Sequence, residues 1–149
     1  MDPTKPFSLE TVLSHRKRRK DATVTRLTTA EKNRTIIAEK LAEKEEGYRN
    51  FLQEIENIQL QGVNIERLIM YEGRADYIKH EIAEIKKTLL NKEKIVHQER
   101  KNLSHCAREH KIMCQLKEKQ NLAWRQFINK KEAAVLDEIA IMRHSQKMS

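Results

Sequence analysis

The sequence predicts an all-α protein: a long antiparallel two-helix coiled-coil hairpin, with room for a short extra helix or a bend after its loop. Three observations carry this. The 149 residues contain three glycines and two prolines, and both prolines, Pro3 and Pro6, fall in the first six positions. Sheet-based folds of this length need many turns, and turns draw on Gly, Pro, Asn and Asp, so they are excluded. Charged residues make up 35% of the chain and aromatics 5%, a composition typical of long helices. Apolar residues also recur at alternating three- and four-residue spacing, which marks a helix with one buried seam.

Residues 1–6 read as an N-terminal arm. Helix one is predicted over 7–57. Its heptad series is Leu13, Lys20, Leu27, Arg34, Leu41, Tyr48 and Ile55, five of the seven being apolar. Val24, Ala38 and Leu52 supply the neighbouring row. The loop is predicted over 58–64, where Gly62 can take the left-handed conformation and Asn64 can cap the next helix. Helix two is predicted over 65–145. From Ile78 the 4-3 spacing picks out Ile82, Ile85, Leu89, Lys92, Val96, Glu99, Leu103, Cys106, His110, Met113, Lys117, Gln120, Trp124, Phe127, Lys131, Ala134 and Glu138, an imperfect seam in which eleven of the eighteen positions are apolar. Gly73 is a candidate bend. At 1.5 Å per residue helix one spans about 77 Å and helix two about 123 Å. Either the C-terminal end overhangs or helix two bends near Gly73. The whole chain reads as a single coiled-coil domain.

The formal charge is +8 with a pI near 9.5, which favours anionic partners. Residues 1–20 hold six Lys or Arg against Asp2 and Glu10, and residues 125–149 hold five against Glu132, Asp137 and Glu138. The ends therefore carry +6 of the +8. A hairpin brings its termini to one end, so a basic end is expected. The run His15-Arg16-Lys17-Arg18-Arg19-Lys20 has a nucleic-acid or membrane reading and a plain one, a solvated helix face. No interleaved aromatics and no recognised nucleic-acid fold accompany it. No apolar run is long enough to span a membrane. The N-terminal residues lack the apolar stretch of a secretory signal, which makes the cytoplasm the default compartment.

Cys106 and Cys114, eight residues apart, would lie about 12 Å apart on a straight helix, too far for a disulfide. With His110 they invite a metal reading, but the three cannot converge on one tetrahedral zinc, and Cys106, His110 and Met113 all fall on the seam. No metal or cofactor is expected. There is no glycine-rich phosphate loop, no arguable nucleophile–His–acid set and no walled pocket. The chain therefore reads as a non-enzyme.

Several segments together resemble the FliJ family of flagellar export proteins. They are Phe7-Ser8-Leu9-Glu10-Thr11-Val12-Leu13, Tyr48-Arg49-Asn50-Phe51-Leu52, Gly62-Val63-Asn64-Ile65-Glu66-Arg67-Leu68-Ile69-Met70-Tyr71, Tyr77-Ile78, and Glu132-Ala133-Ala134-Val135-Leu136-Asp137-Glu138-Ile139-Ala140. Their order and spacing cover nearly the whole chain. The resemblance implies a fold like the two-helix shaft of the rotary ATPase γ subunit and the stalk proteins of injectisomes. It implies that the end made by both termini sits in the hexameric flagellar export ATPase, near Leu9, Leu13, Arg16, Arg18, Leu136, Ile139 and Arg143. It also implies that the middle region contacts the cytoplasmic domain of the export gate FlhA, through Leu41, Tyr48, Leu52, Tyr71 and Ile78. Lys44 and Arg74 stand where the family often has an aromatic. Export chaperones are further implied partners, and the implied location is the cytoplasmic face of the membrane at the flagellar base, held there peripherally. Rival readings are a general coiled-coil adaptor or chaperone, an injectisome stalk protein, and a nucleic-acid-binding basic helix.

Overall fold

A computed structural model describes residues 5–148 and contains two helices, α1 (Glu10–Gln61) and α2 (Ile65–Met148), with no strand among the described residues. The helices pack against each other as a hairpin. α1 has 52 residues and α2 has 84, about 78 and 126 Å.

The entry to α1 is a turn in which Glu10 N–H donates to the Phe7 carbonyl (3.1 Å) and Leu13 N–H to the Leu9 carbonyl (2.9 Å). Leu9 is therefore the residue from which the helix starts. α1 runs four residues further than expected, through Ile58-Gln59-Leu60-Gln61, because none of these side chains breaks a helix. Only Gly62 does. It has φ +88°, and its N–H donates to the Gln59 carbonyl at 3.2 Å, the left-handed close of a helix C-terminus. Asn64 then caps α2: its Oδ1 accepts from Glu66 N–H at 2.8 Å, and its carbonyl accepts from Leu68 N–H at 3.0 Å, which satisfies donors the helix start leaves open. α2 continues as one helix through Gly73, so no separate short helix follows the turn. A Cβ at Gly62 would meet nothing within 4 Å, which leaves backbone strain as the sole penalty. Gly62→Ala is accordingly expected to cost about 1 kcal/mol, read as a lower urea midpoint with an unchanged m-value.

The chain divides into two compact units, with boundaries after Asp21 and after Leu103. The turn unit, 22–103, is held by cross-helix pairs that follow one antiparallel register. The partners' numbers add to 125 for Arg26 with Glu99 and for Lys44 with Glu81, and to 131 for Glu31 with Arg100 and for Glu45 with Lys86. Between these flanking pairs runs the seam, whose most buried side chains are Thr23, Ala30, Ile55, Ala75, Ile82 and Val96.

On α2 the buried positions in this unit are those of the 4-3 series, with Ala75 one step earlier. On α1 the heptad series 20, 27, 41, 48, 55 also faces inward, while Arg34 is exposed. The second row differs from expectation. Thr23, Ala30, Ile37, Phe51 and Ile58 turn inward, whereas Val24 and Leu52 are exposed. The reason is geometric: from the first row the helix reaches its partner again after three residues, not four. Small Thr23 and Ala30 occupy that row where the more apolar Val24 would have been chosen on hydropathy alone.

Glu99 sits on the seam with one carboxylate oxygen buried and without a hydrogen bond. Arg26 Nε lies 3.5 Å from that oxygen, an ion pair, while the Arg26 guanidinium donates to Thr23 Oγ1 at 3.0 Å. Near the middle of the same unit Lys44 Nζ donates to Glu81 Oε2 at 3.2 Å. That bond, aided by a hydrogen bond from Tyr77 and the charges of Lys44 and Lys40, holds the Glu81 carboxyl below its ordinary value of 4.5. A carboxyl lowered on folding stabilises the protein above its unfolded pKa, and the contribution is lost as pH falls through the folded value. Lys44→Met should therefore flatten the stability change on acidification below pH about 4.5, measured by thermal melts at stepped pH.

In the terminal unit, 5–21 pack on the stretch of α2 that begins at Ser104. Lys117 Nζ pairs with Glu10 Oε2 at 2.9 Å, and Gln120 Nε2 donates to the Pro6 carbonyl at 3.3 Å. Cys106 and Met113 are buried here. Lys5 lies over the Trp124 ring. Beyond that point no described residue of α1 stands opposite α2, and residues 129–148 are exposed throughout. The length mismatch is thus resolved as an overhang.

Candidate interaction surfaces

The terminal unit separates two groups that the sequence reading placed at one end. Leu9, Leu13, Arg16 and Arg18 lie on or just before the first turns of α1. Leu136, Ile139 and Arg143 lie on the overhang. Arg16 faces α2, where its guanidinium donates to the Glu109 carbonyl at 3.2 Å. Lys117, which faces Glu10 at the start of α1, lies about 19 residues before Leu136 on α2, about 29 Å. The two groups therefore do not form one patch in this chain. The hairpin register decides this: α1 starts opposite Lys117, not opposite the end of α2.

The basic run is also divided by helix geometry. Arg16 is half-buried. Arg19 pairs with Glu109 at 3.8 Å, and His105 Nε2 approaches the other Glu109 oxygen at 3.0 Å. Lys17 and Arg18 point to solvent. A single carboxylate thus anchors one side of the run, Lys20 is half-buried on the seam, and Lys17 and Arg18 are exposed positive charge. The unit as a whole is basic, with +3 from 1–21 and +4 from 104–149.

Among the described residues each unit holds one aromatic pair. In the terminal unit Trp124 stacks on Phe127, centroids 5.6 Å apart, with Lys5 over the first ring at 5.6 Å and Lys131 over the second at 5.4 Å. Trp124 is half-buried, but Phe127 is 49% exposed, so the seam leaves the expected position there and Ile128 is the half-buried residue instead. From that point the overhang carries its own apolar row: Ile128, Val135, Ile139 and Met142, spaced by seven, four and three, with Leu136 beside it. The row is shifted by one residue from the hairpin seam, whose continuation at Lys131, Ala134 and Glu138 is largely polar. A shallow groove lined by Ile128, Lys131, Glu132, Val135 and Leu136 lies along it. Such a row, on a helix stretch without an intramolecular partner, is a surface for another helix or an apolar wall.

In the turn unit Phe51 and Tyr71 meet at 5.9 Å, with Arg74 over Phe51 at 5.6 Å and Arg67 over Tyr71 at 5.9 Å. Each guanidinium is within cation–π range of its own ring. Of the five positions that the resemblance assigns to the gate, Leu41, Tyr48, Tyr71 and Ile78 are half-buried in or beside the seam, and Leu52 is the exposed one. Exposed apolar residues that the sequence reading passed over are Leu60, Ile65, Ile69, Met70 and Tyr77. Their signal was present in the sequence: each is a large apolar residue off the 4-3 seam.

No catalytic arrangement emerges among the described residues. His110 Nε2 and Cys114 Sγ lie 3.5 Å apart, neither Cys106 nor Cys114 is in a disulfide, and no group of three or more His, Cys, Asp or Glu side chains among the described residues could hold a metal ion. No helix is long and apolar enough to cross a membrane.

Two unequal antiparallel helices, a thin seam, charged flanks and an exposed apolar stretch of α2 define a coiled-coil hairpin protein. The family model described as the flagellar FliJ protein matches residues 4–149. The chain belongs to the flagellar FliJ family, a non-catalytic group in flagellar protein export. No curated protein and no solved structure gives a match.

Proposed function

We propose that this protein is a coupling component of the flagellar export apparatus, acting in the cytoplasm at the membrane face. Its terminal unit enters the hexameric export ATPase, and its middle region contacts the cytoplasmic domain of the gate FlhA. The observation that supports this reading best is the overhang: about 20 residues of helix with a regular apolar row and basic neighbours, exposed in the isolated chain. A row of this kind on a protruding single helix suits insertion into a surrounding wall. On this reading Val135, Leu136 and Ile139 bury against the ring, and Arg143 and Arg18 offer positive charge to it. Leu13 and Arg16 bear on the ring less directly, by holding the start of α1 onto α2, and the exposed Leu9 offers it an apolar side chain. Gate contact runs through Leu52 directly and through Leu41, Tyr48, Tyr71 and Ile78 by shaping the seam beneath it.

The test mixes the full chain with the export ATPase and follows hexamer formation and ATP hydrolysis. Both should rise with added protein. Binding to ATPase, gate or export chaperones with no change in hydrolysis would instead mark a passive adaptor, and no binding to either ATPase or gate would remove the coupling reading.

A further inference from the structure

The turn end of the hairpin carries a second apolar surface of a different electrostatic kind. Leu60, Ile65, Ile69 and Met70 are 81%, 71%, 61% and 75% exposed, and Gly62 and Asn64 fix the backbone that presents them. Four large apolar side chains, each more than half exposed, within eleven residues of a capped turn are costly in water. They bury nothing within the turn unit, so folding of the hairpin does not explain them.

The charges around them are also distinctive. Along the paired part of the hairpin Glu31, Glu45, Glu81, Glu93 and Glu99 form ion pairs, and lysines and arginines interleave with the acidic residues there. Near the turn Glu54, Glu56, Glu66, Glu72 and Asp76 form none among the described residues, and the two nearby arginines, Arg67 and Arg74, lie over Tyr71 and Phe51. The turn end is therefore an apolar tip with an unpaired acidic rim, in contrast to the basic terminal unit.

We propose that this tip is a docking surface for a protein partner that offers an apolar groove with a Lys- or Arg-rich rim. Charge complementarity selects this occupant. An anionic lipid surface or a nucleic acid would meet carboxylates, whereas a basic-rimmed groove neutralises them and covers the apolar residues. The proposal rests on the tip's own geometry: Leu60, Ile65, Ile69 and Met70 are none of the five gate positions, so it stands or falls apart from both the ring contact and the gate contact.

The probe is a designed amphipathic helical peptide with Leu on one face and Lys on the other, titrated into the full-length protein while backbone amide NMR signals are followed. A Glu-for-Lys version of the peptide and vesicles of phosphatidylglycerol serve as the comparison arms. Signals of residues 58–70 should shift with the Lys peptide more than those around Tyr48 and Ile78, with an affinity that falls as salt rises. Leu60→Ser with Ile65→Ser and Met70→Ser should weaken binding at least tenfold, and Glu66→Gln with Glu72→Gln and Asp76→Asn by a similar factor. Both variants should keep the helical circular dichroism of the parent, because the altered side chains are exposed. Equal binding by parent and triple-Ser variant, or a response at the tip to the Glu peptide or the anionic vesicles that matches the Lys peptide, overturns the proposal.

Discussion

Val135→Asp together with Ile139→Asp is expected to abolish stimulation of the export ATPase while leaving the hairpin folded. Both side chains are exposed in the free chain and face no described residue of α1. Their replacement should therefore cost no more than about 1 kcal/mol of folding stability, chiefly from the lower helix propensity of Asp. In a ring-bound state the same positions are covered by protein. Each buried, unpaired carboxylate then costs about 2 kcal/mol or more, and the pair lowers affinity on the order of a thousandfold. The check is ATP hydrolysis against protein concentration, beside a thermal melt of the free variant. Val135→Ala with Ile139→Ala should give an intermediate loss. A double-Asp variant that stimulates like the parent would show that the overhang does not enter the ring.

Ile82→Ala is expected to have the largest effect on stability. Ile82 is 8% exposed on the seam of the turn unit, and removing its side chain loses transfer free energy and leaves a cavity, about 2–4 kcal/mol together. For a chain of this size that lowers the melting temperature on the order of 10 °C. A two-helix protein makes the loss hard to absorb, since only one partner helix can close the gap. Leu136→Ala is the matched control: an equally apolar residue, 65% exposed on the overhang, whose removal should shift the melt by no more than about 2 °C. If the two variants melt alike, the seam does not carry the stability.

The contrast between Ile82 and Leu136 also shows how far a heptad pattern can be read. From Ile78 to Trp124 every apolar member of the 4-3 series lies at least half-buried, because α1 stands opposite throughout. At Phe127 the same pattern continues in the chain but no longer predicts burial, because α1 has begun. In α1 the first row, Leu13 to Ile55, was legible, since it holds strong hydrophobes at strict spacing. The second row was not. Thr23 and Ala30 are buried over their neighbour Val24 for a reason of geometry, and hydropathy ranks them the other way. The turn was legible in chemistry and less so in extent. Gly62 and Asn64 behave as their residue types dictate, yet Ile58 to Gln61 stay helical because nothing in them stops the helix.

The candidate surfaces divide in the same way. A basic terminal region and an apolar late segment around Leu136 and Ile139 could be named from residue types, but their separation by about 29 Å along α2 could not, because it depends on which α2 residue faces the start of α1. Likewise Leu41, Tyr48, Tyr71 and Ile78 have the right character for a contact surface and are half-buried in or beside the seam, while Leu60, Ile65 and Met70 lie outside it.

The near-absence of proline and glycine, the heptad spacing and one Gly-x-Asn turn determined that this protein is a two-helix hairpin and where it reverses. These are local properties: each acts through the φ of one residue or the face of one helix. Only the tertiary structure decided which row of α1 is buried, how far α2 outruns its partner and which apolar residues remain for others to cover. Those depend on the register between two helices, and register is a property of the pair, which neither strip of sequence contains alone.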